Sequence, residues 1–294
     1  MSRMVALVSG FGWHVEDLRR AADGLGIDFA AIPFSELSGR VGVEGSGVDG
    51  RGVPLSGCHG VLVRMMPPGS LEQVVFRMDA LHRLAANGVP VMNPPAAVEA
   101  SVDKYLALAK LEAGGLPVPE TWVGEGAKAA LSAFALMGRD VVVKPLFGSE
   151  GRGLVRVTET EVARRVFHAL ERIGAVLYLQ RYIPNPGYDL RAFVLGNRVV
   201  GAIRRHAPEG DWRTNVSVGG RAEAIRLDSE TETLAIRAAG AVGAIMAGVD
   251  LLPDRDGNLV ILEVNAVPGW RALAGATGVD VASEILAELR GMQQ

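Results

Sequence analysis

Residues 248–268 read GVDLLPDRDGNLVILEVNAVP, and the rest of the chain is best understood from this stretch. Two apolar runs, 248–252 and 259–264, flank Pro253-Asp254-Arg255-Asp256-Gly257-Asn258, which is turn chemistry, so the stretch reads as a β-hairpin. Folding it about the middle of the turn sets Asp250 roughly across from Glu263. Directly opposed side chains on one face have Cβ atoms about 4.5–5.5 Å apart. Asn265 lies two residues beyond Glu263 and shares its face. Two carboxylates this close repel unless positive charge lies between them. Two carboxylates and an amide oxygen form a donor set for a hard cation, Mg²⁺ first. In the competing reading, Asp250 caps a turn and Glu263 faces water. It fits poorly with Leu251, Leu252, Val260, Ile261, Leu262 and Val264, which make the strands apolar on both sides.

Immediately upstream, residues 189–195 and 198–205 form a second hairpin about Gly196-Asn197. Asp189 and Arg191 share a face of its first strand, and Arg204, Arg205 and His206 end the second. Such a cluster is often only a surface ladder of ion pairs. A polar loop, 206–220, carries Trp212, Arg213 and Asn215, and arginine can clamp a phosphate or carboxylate bidentately. A helix at 229–246 follows the loop. Further upstream, the strand VVVKP (141–145) carries Lys144 and leads into GSEGRG (148–153). Glycines 148, 151 and 153 allow backbone N–H groups to close on phosphate oxygens, with Ser149 among them. Taken alone the segment also fits a plain hairpin turn. It lacks the G-K-[ST] of a Walker loop, and a strand rather than a helix follows, so it is no dinucleotide fingerprint. Lys144 reads either as a snorkelling edge residue or, beside this loop, as a phosphate ligand.

The remaining elements are a β-α-β opening over 4–33, a Gly-rich loop or irregular hairpin over 39–60, a strand at 60–64, a helix at 70–87 and a strand at 89–93. Pro94-Pro95 closes that unit. A helix at 101–114 begins with a cap and carries Lys104 in its first turn; alone, Lys104 reads as an exposed helix residue. Strands at 121–123, 154–157 and 176–182, helices at 128–137 and 159–173, and a last helix at 279–290 complete the chain. Three parts are expected: 1–95, 96–183 and 184–294, the class being α/β (α+β).

With 294 residues, 49% of them hydrophobic, the chain can bury a large core. A net charge of −3 gives no footprint for nucleic acid. Only Lys104, Lys110, Lys128 and Lys144 are lysines among 30 basic residues, so each is worth examining. The one cysteine, Cys58, excludes an internal disulfide and a cysteine metal site. There is no signal peptide and no uncharged window of about 20 residues, so a soluble cytoplasmic protein is expected. Trp13, His14, Arg64, Trp212 and Trp270 sit near Gly/Pro breaks and read as packing when taken singly. No Ser-His-Asp order, H-E-x-x-H or C-x-x-C is present.

Assembled in order, Asp103-Lys104, VVVKP, GSEGRG, LQRYI (179–183), DLRAFVLG (189–196), AIRRHAPEGDWRTN (202–215), AGVDLL (247–252) and ILEVNAVPGW (261–270) resemble an ATP-grasp ligase of the RimK type, a family of glutamate ligases. The resemblance runs from about residue 101 to 289. It implies an ATP-grasp fold behind an N-terminal Rossmann-like (pre-ATP-grasp) domain, with ATP between two lobes. Lys104 and Lys144 would meet the phosphates under the loop of Gly148, Ser149, Gly151 and Gly153. The hinge Gln180, Arg181, Tyr182 and Ile183 would hold adenine, and Asp189 the ribose. Arg213 and Asn215 would hold the transferring phosphate, with Arg191 and Arg205 nearby. Asp250, Glu263 and Asn265 would carry two Mg²⁺ ions, or Mn²⁺. Arg181 departs from the acidic hinge residue usual in relatives, which leaves only backbone contacts secure there.

The reaction implied is phosphorylation of a carboxylate by ATP to an acyl phosphate, then attack by an amine, giving an amide, ADP and phosphate. L-glutamate would be added to a small carboxylate, a tetrahydromethanopterin-type coenzyme being one candidate, in a homodimer or homotetramer. Arg64, Met65 and Met66, at a strand end, are candidates to line the acceptor pocket. Three other readings stand beside this one: glutamylation of a protein or carrier-protein C-terminus, a non-catalytic ATP-binding module, and a kinase-like enzyme that releases a phosphorylated product.

Overall fold

The computed structural model describes residues 3–42, 45–148, 152–214 and 220–292. Strand β1 (Met4–Val8), helix α1 (Trp13–Leu25) and strand β2 (Phe29–Pro33) open the chain. Strands β3 (Leu37–Arg40), β4 (Gly47–Gly50) and β5 (Val53–Pro54) come next, then β6 (Gly60–Val63), α2 (Leu71–Ala86) and β7 (Val91–Met92). The order β2-β1-β6-β7 is a parallel sheet. Every residue of β1 is buried, as a sheet covered on both faces requires. Helix α2 starts in a capping box: Ser70 Oγ accepts from the Gln73 N–H, and Gln73 Oε1 from the Ser70 N–H. Where the sequence suggested a Gly-rich loop or irregular hairpin, β3, β4 and β5 form a small antiparallel sheet. Gly39, Gly47 and Gly50 within it hide the strand signal.

Helices α3 (Pro95–Val102) and α4 (Lys104–Ala113) replace the single helix expected over 101–114. Pro95 begins α3, where its missing N–H is harmless, rather than closing the preceding unit. Asp103 is extended between the two helices, and its carboxylate accepts from the N–H groups of Tyr105 and Leu106. Lys104 is therefore the first residue of α4. Strand β8 (Thr121–Gly124), helix α5 (Ala127–Leu136), strands β9 (Val141–Lys144) and β10 (Val155–Val157), helix α6 (Thr160–Arg172) and strand β11 (Leu177–Arg181) follow. They build an antiparallel sheet, β10-β9-β11-β8, with a core of its own around Phe134 and Phe167.

The last part contains β12 (Tyr188–Leu195), β13 (Arg198–His206), β14 (Arg221–Ile225), α7 (Ser229–Ala241), β15 (Met246–Pro253), β16 (Leu259–Asn265), α8 (Arg271–Thr277) and α9 (Val281–Gly291). Its antiparallel sheet runs β14-β13-β12-β15-β16. Strand β14 and helix α8 went unread, and α7 ends at Ala241, short of 246, because Gly243 takes φ +76° in the turn before β15. All eight residues of β15 are buried. Asp250 does pair with Glu263, and a bulge then sets Leu251 against Ile261.

One apolar cluster joins the first sheet to the last. Met4, Leu18 and Leu62 pack with Phe193, Met246 and Leu286. Buried Asn93 pins the same junction. Its Nδ2 donates to Met246 O (2.6 Å) and Ala266 O (2.5 Å), and its Oδ1 accepts from the N–H groups of Ile245 and Met246 (2.8 Å each).

Candidate active site

A cleft of about 950 Å³, including its open mouth, lies between the β10-β9-β11-β8 sheet and the β14-β13-β12-β15-β16 sheet. Lys104, Lys144, Gln180, Asp189, Asp250 and Glu263 are among the residues facing it.

The first wall is cationic. Lys144 ends β9, and its Nζ donates to Gln180 Oε1 at 2.6 Å. Gln180 is fixed in turn, donating from Nε2 to Thr121 Oγ1 at 3.1 Å. Lys104 Nζ donates to Gly148 O at 2.6 Å. Among the described residues neither lysine has a carboxylate within ion-pair distance. Burial pushes Lys144 down to about 8, against the pull of Glu263, and burial also lowers Lys104. Gly148 takes φ +147°, and a Cβ there would press on Pro145 at 3.3 Å, so the turn into the loop needs glycine. Ser149 and Gly151, expected in that loop, lie outside the described residues, as does Asn215.

The second wall is anionic and already paired. Arg191 grips Asp250 with two parallel bonds, Nε–Oδ1 at 2.6 Å and Nη2–Oδ2 at 2.7 Å. Arg205 bridges two carboxylates. It binds Asp189 at 2.7 and 2.5 Å and reaches Asp250 Oδ2 at 2.9 Å. Thr214 Oγ1 also donates to Asp189, at 2.6 Å. Burial alone would raise the Asp250 carboxyl, but Arg191 and Arg205 overcome it and hold the group near 2. Arg191 and Arg205, expected beside the transferring phosphate, are thus committed to carboxylates. Glu263 differs: opposite Asp250, it has no hydrogen-bond or ion-pair partner among the described residues. Asn265 faces Gly248 across the hairpin, and its Oδ1 accepts from the Val267 N–H at 2.9 Å.

Between the walls, Val142, Leu252 and Leu262 line an apolar slot beside the end of β11. There the backbone N–H groups of Arg181 and Tyr182 are occupied by Glu120 O and Asp140 O (2.8 and 2.9 Å). Arg181, the departure noted in the sequence, pairs with Glu120 on the neighbouring chain segment at 2.8 Å, which restores a carboxylate to the hinge. Tyr182 is packed under Arg156 and edge-on to Trp212. Arg213 is turned onto Asp211, with Nη2–Oδ2 at 2.7 Å. Thr214 was quoted within a motif but not singled out; its contact with Asp189 depends on the loop's path. No group of three or more His, Cys, Asp or Glu side chains is placed to hold a metal ion by itself among the described residues. A hard cation here would rest on Glu263, Asp250 and the Asn265 amide, an oxygen set suited to Mg²⁺. The unpartnered Glu263 carboxylate is the observation that fits it.

Residues 101–289 match the RimK-like ATP-grasp domain. The chain belongs to that family. It is accordingly an ATP-grasp ligase, and ATP with Mg²⁺ is the general requirement of the fold. The chain is 37% identical over 265 residues, 81% of its length and 82% of the relative's, to the tetrahydromethanopterin:alpha-L-glutamate ligase of Methanosarcina acetivorans. It is 36% identical to the protein of that name in Methanococcus maripaludis, over 75% of each chain. A probable alpha-L-glutamate ligase of Picosynechococcus is 41% identical, over about half of each chain (51% and 50%). Among solved structures, the ATP-grasp ligase PsnB with its minimal precursor superposes at a TM-score of 0.80, with 24% identity, 100% of this chain and 99% of that one covered. A RimK domain protein of Sphaerobacter thermophilus gives 0.75 at 24% identity, covering 98% and 99%. At such identities these structures establish the ATP-grasp fold alone. No helix among the described residues is long and apolar enough to cross a membrane.

Proposed function

We propose that this ATP-grasp ligase joins the amine of L-glutamate to a carboxylate on a small pterin-type coenzyme. What carries the acceptor class is the likeness to the Methanosarcina acetivorans ligase, which extends over 81% of this chain and so includes part of the region before the ATP-grasp domain. The cleft supports the reaction type. Lys104 and Lys144 offer two poorly solvated ammonium groups to the ATP phosphates, and a phosphate chain would displace the neutral oxygens they now hold. Adenine fits the apolar slot at Val142 and Leu252. The Asp189 carboxylate has about four acceptor sites and uses three, which leaves one for a ribose hydroxyl.

The chemical difficulty is bringing an acceptor carboxylate to the γ-phosphate, anion against anion. Asp250, Glu263 and Asn265 would hold Mg²⁺ or Mn²⁺, two ions in all. Bound there, metal would neutralise the charge that develops on the transferring group. Arg191 and Arg205 orient Asp250, and Arg213, once released from Asp211, would complete the clamp on the transferring phosphate together with Asn215. The carboxylate oxygen attacks the γ-phosphorus and ADP leaves. The glutamate amine then attacks the acyl carbon and expels phosphate. Closure of the cleft over its substrates would exclude water and protect the acyl phosphate.

The test is phosphate release from Mg²⁺-ATP with L-glutamate across a panel of pterin coenzymes, small dicarboxylates and peptides, followed by product mass. A glutamyl increment on a pterin, absent with Glu263→Gln, is the expected outcome. An increment confined to a protein tail would move the acceptor to a macromolecule, and activity unchanged in Glu263→Gln would remove the metal site from the mechanism.

A further inference from the structure

Arg64 is a buried cation without a counter-charge. It follows β6, and its N–H donates to Leu7 O at 2.9 Å, extending the β1–β6 pairing. The residue is only 7% exposed. Its Nη1 is buried with no hydrogen-bond partner, and no carboxylate lies within ion-pair distance among the described residues. Its guanidinium lies over the Trp270 ring, Cζ 4.5 Å from the centroid. Burial, with nothing opposing it, pushes Arg64 down to about 9, so it remains charged at neutral pH.

The surroundings do not compensate. Asp17 is the nearby carboxylate, but it accepts from Trp270 Nε1 at 2.8 Å and from Arg20 Nη2 at 2.8 Å. His14 Nε2 accepts the Trp270 N–H at 3.2 Å. Burial, then Arg64, pushes His14 down to about 4, so it is neutral at pH 7 and contributes no charge. A second cation, Arg271, lies over the Trp13 ring. Buried charges are ordinarily paired, and an unpaired one weakens the fold.

Topology points to the same place independently. In the order β2-β1-β6-β7, the chain leaves β1 toward one edge and β6 toward the other. The switch therefore falls between β1 and β6. Open parallel sheets take ligands in the crevice beyond the C-terminal ends of the strands at such a point. Phe11, Trp13 and His14 follow β1, and Arg64 and Met65 follow β6. Phe11 and Met65 are 52% and 59% exposed, although Arg19 and Arg51 lie over the Phe11 ring. The segment 265–270 links this place to the cleft. At one end a Cβ on Gly248 would come within 3.0 Å of Pro268 and 3.8 Å of Arg191 Nε. At the other, Trp270 lies under Arg64.

We propose that Arg64, over Trp270 and with Arg271 nearby, is a carboxylate-binding subsite that holds a non-reacting carboxylate of one of the two substrates. A planar guanidinium with an unused edge suits a bidentate carboxylate. This inference rests on the ligase reading. Both substrate classes there carry a spare carboxylate, glutamate by its nature and an acceptor if it is a dicarboxylate, so the experiment has an arm for each.

Arg64→Met keeps the apolar bulk and removes the unpaired charge, so the variant is expected to fold without loss of melting temperature. Thermal shifts are read with ATP, L-glutamate and glutarate separately, and KM is read for glutamate and for the acceptor. Expected are an intact ATP shift, loss of the carboxylate shift, and a rise of about 100-fold in one KM with kcat little changed, as for lost uniform binding. The KM that rises names the substrate held. Arg64→Lys restores only part, because an ammonium is not bidentate. Unchanged carboxylate shifts and KM values in Arg64→Met overturn the proposal, as does a wild-type protein that no carboxylate stabilises. A variant that loses the ATP shift as well assigns Arg64 a structural role and overturns it too. If the wild type makes no amide with any acceptor but still loses its glutarate shift in Arg64→Met, the ligase reading fails and the subsite stands.

Discussion

Lys104 and Lys144 on one wall of the cleft are half-buried charges, Asp189 and Asp250 on the other are buried ones, and the two pairs are handled in opposite ways. The lysines hold neutral oxygens and are pushed toward deprotonation. The aspartates are locked to Arg191, Arg205 and Thr214, and the two arginines hold Asp250 ionised. A charge that lacks its opposite is completed by what binds, whereas a charge already paired keeps its strands in register. Residues on the first wall should therefore matter for turnover more than for folding, and most of those on the second for both.

The sharpest way to break this contrast is Arg205→Leu. It leaves Asp189 with Thr214 alone and Asp250 with Arg191 alone, and removing one partner of a buried pair costs about 3–5 kcal/mol. Urea unfolding should show that loss; a loss under about 1 kcal/mol would mean the network does not hold the sheet. Next comes Lys144→Met. Phosphate release should fall by about 10²–10³, the scale for loss of one group aimed at developing charge, with the urea midpoint nearly unchanged. A midpoint as low as that of Arg205→Leu would erase the distinction between the walls.

A smaller effect lies in pH. With its pKa pushed down to about 8, Lys144 in the ligand-free fold has released a proton that the unfolded chain keeps up to the ordinary lysine value. Its contribution to stability therefore rises with pH across that window. Bound phosphate would restore the proton, so ATP binding should take up protons near pH 8 and weaken above it. Calorimetry in two buffers of different ionisation enthalpy measures that uptake, which should vanish in Lys144→Met. Least of all, Asp103→Ala removes the cap of α4 and should cost about 1 kcal/mol in urea unfolding, with a few-fold rise in KM for ATP as Lys104 loosens.

The hairpin at 248–268 was legible because its strand pairing and its turn are both local, which brings Asp250 near Glu263; the exact pairing comes with the bulge at Asp250/Leu251. The helix start at Asp103 was not, since Ser101 also reads as a cap until Pro95 is known to have started a helix of its own. The arginine network was hidden for two reasons. Its partners sit on three adjacent strands whose order the sequence does not state. In addition, the second hairpin, folded evenly about Gly196-Asn197, sets Asp189 against Arg204, whereas a bulge at Phe193/Val194 moves it to Arg205. Arg64 and Trp270, each plausible packing alone, acquire meaning only when they stack.

The four hydrogen bonds on Asn93 have a mechanical consequence. They rivet the end of the first sheet to β15 and to the exit of β16, inside a core that those two sheets share. The sheet carrying Lys144 has a core of its own on one face and meets the last sheet through Tyr178 and Val123. Any gaping of the cleft that spares the rivet therefore swings the Lys144 sheet, while the Asp250 end and the Arg64 end keep a constant spacing, like two marks on one ruler.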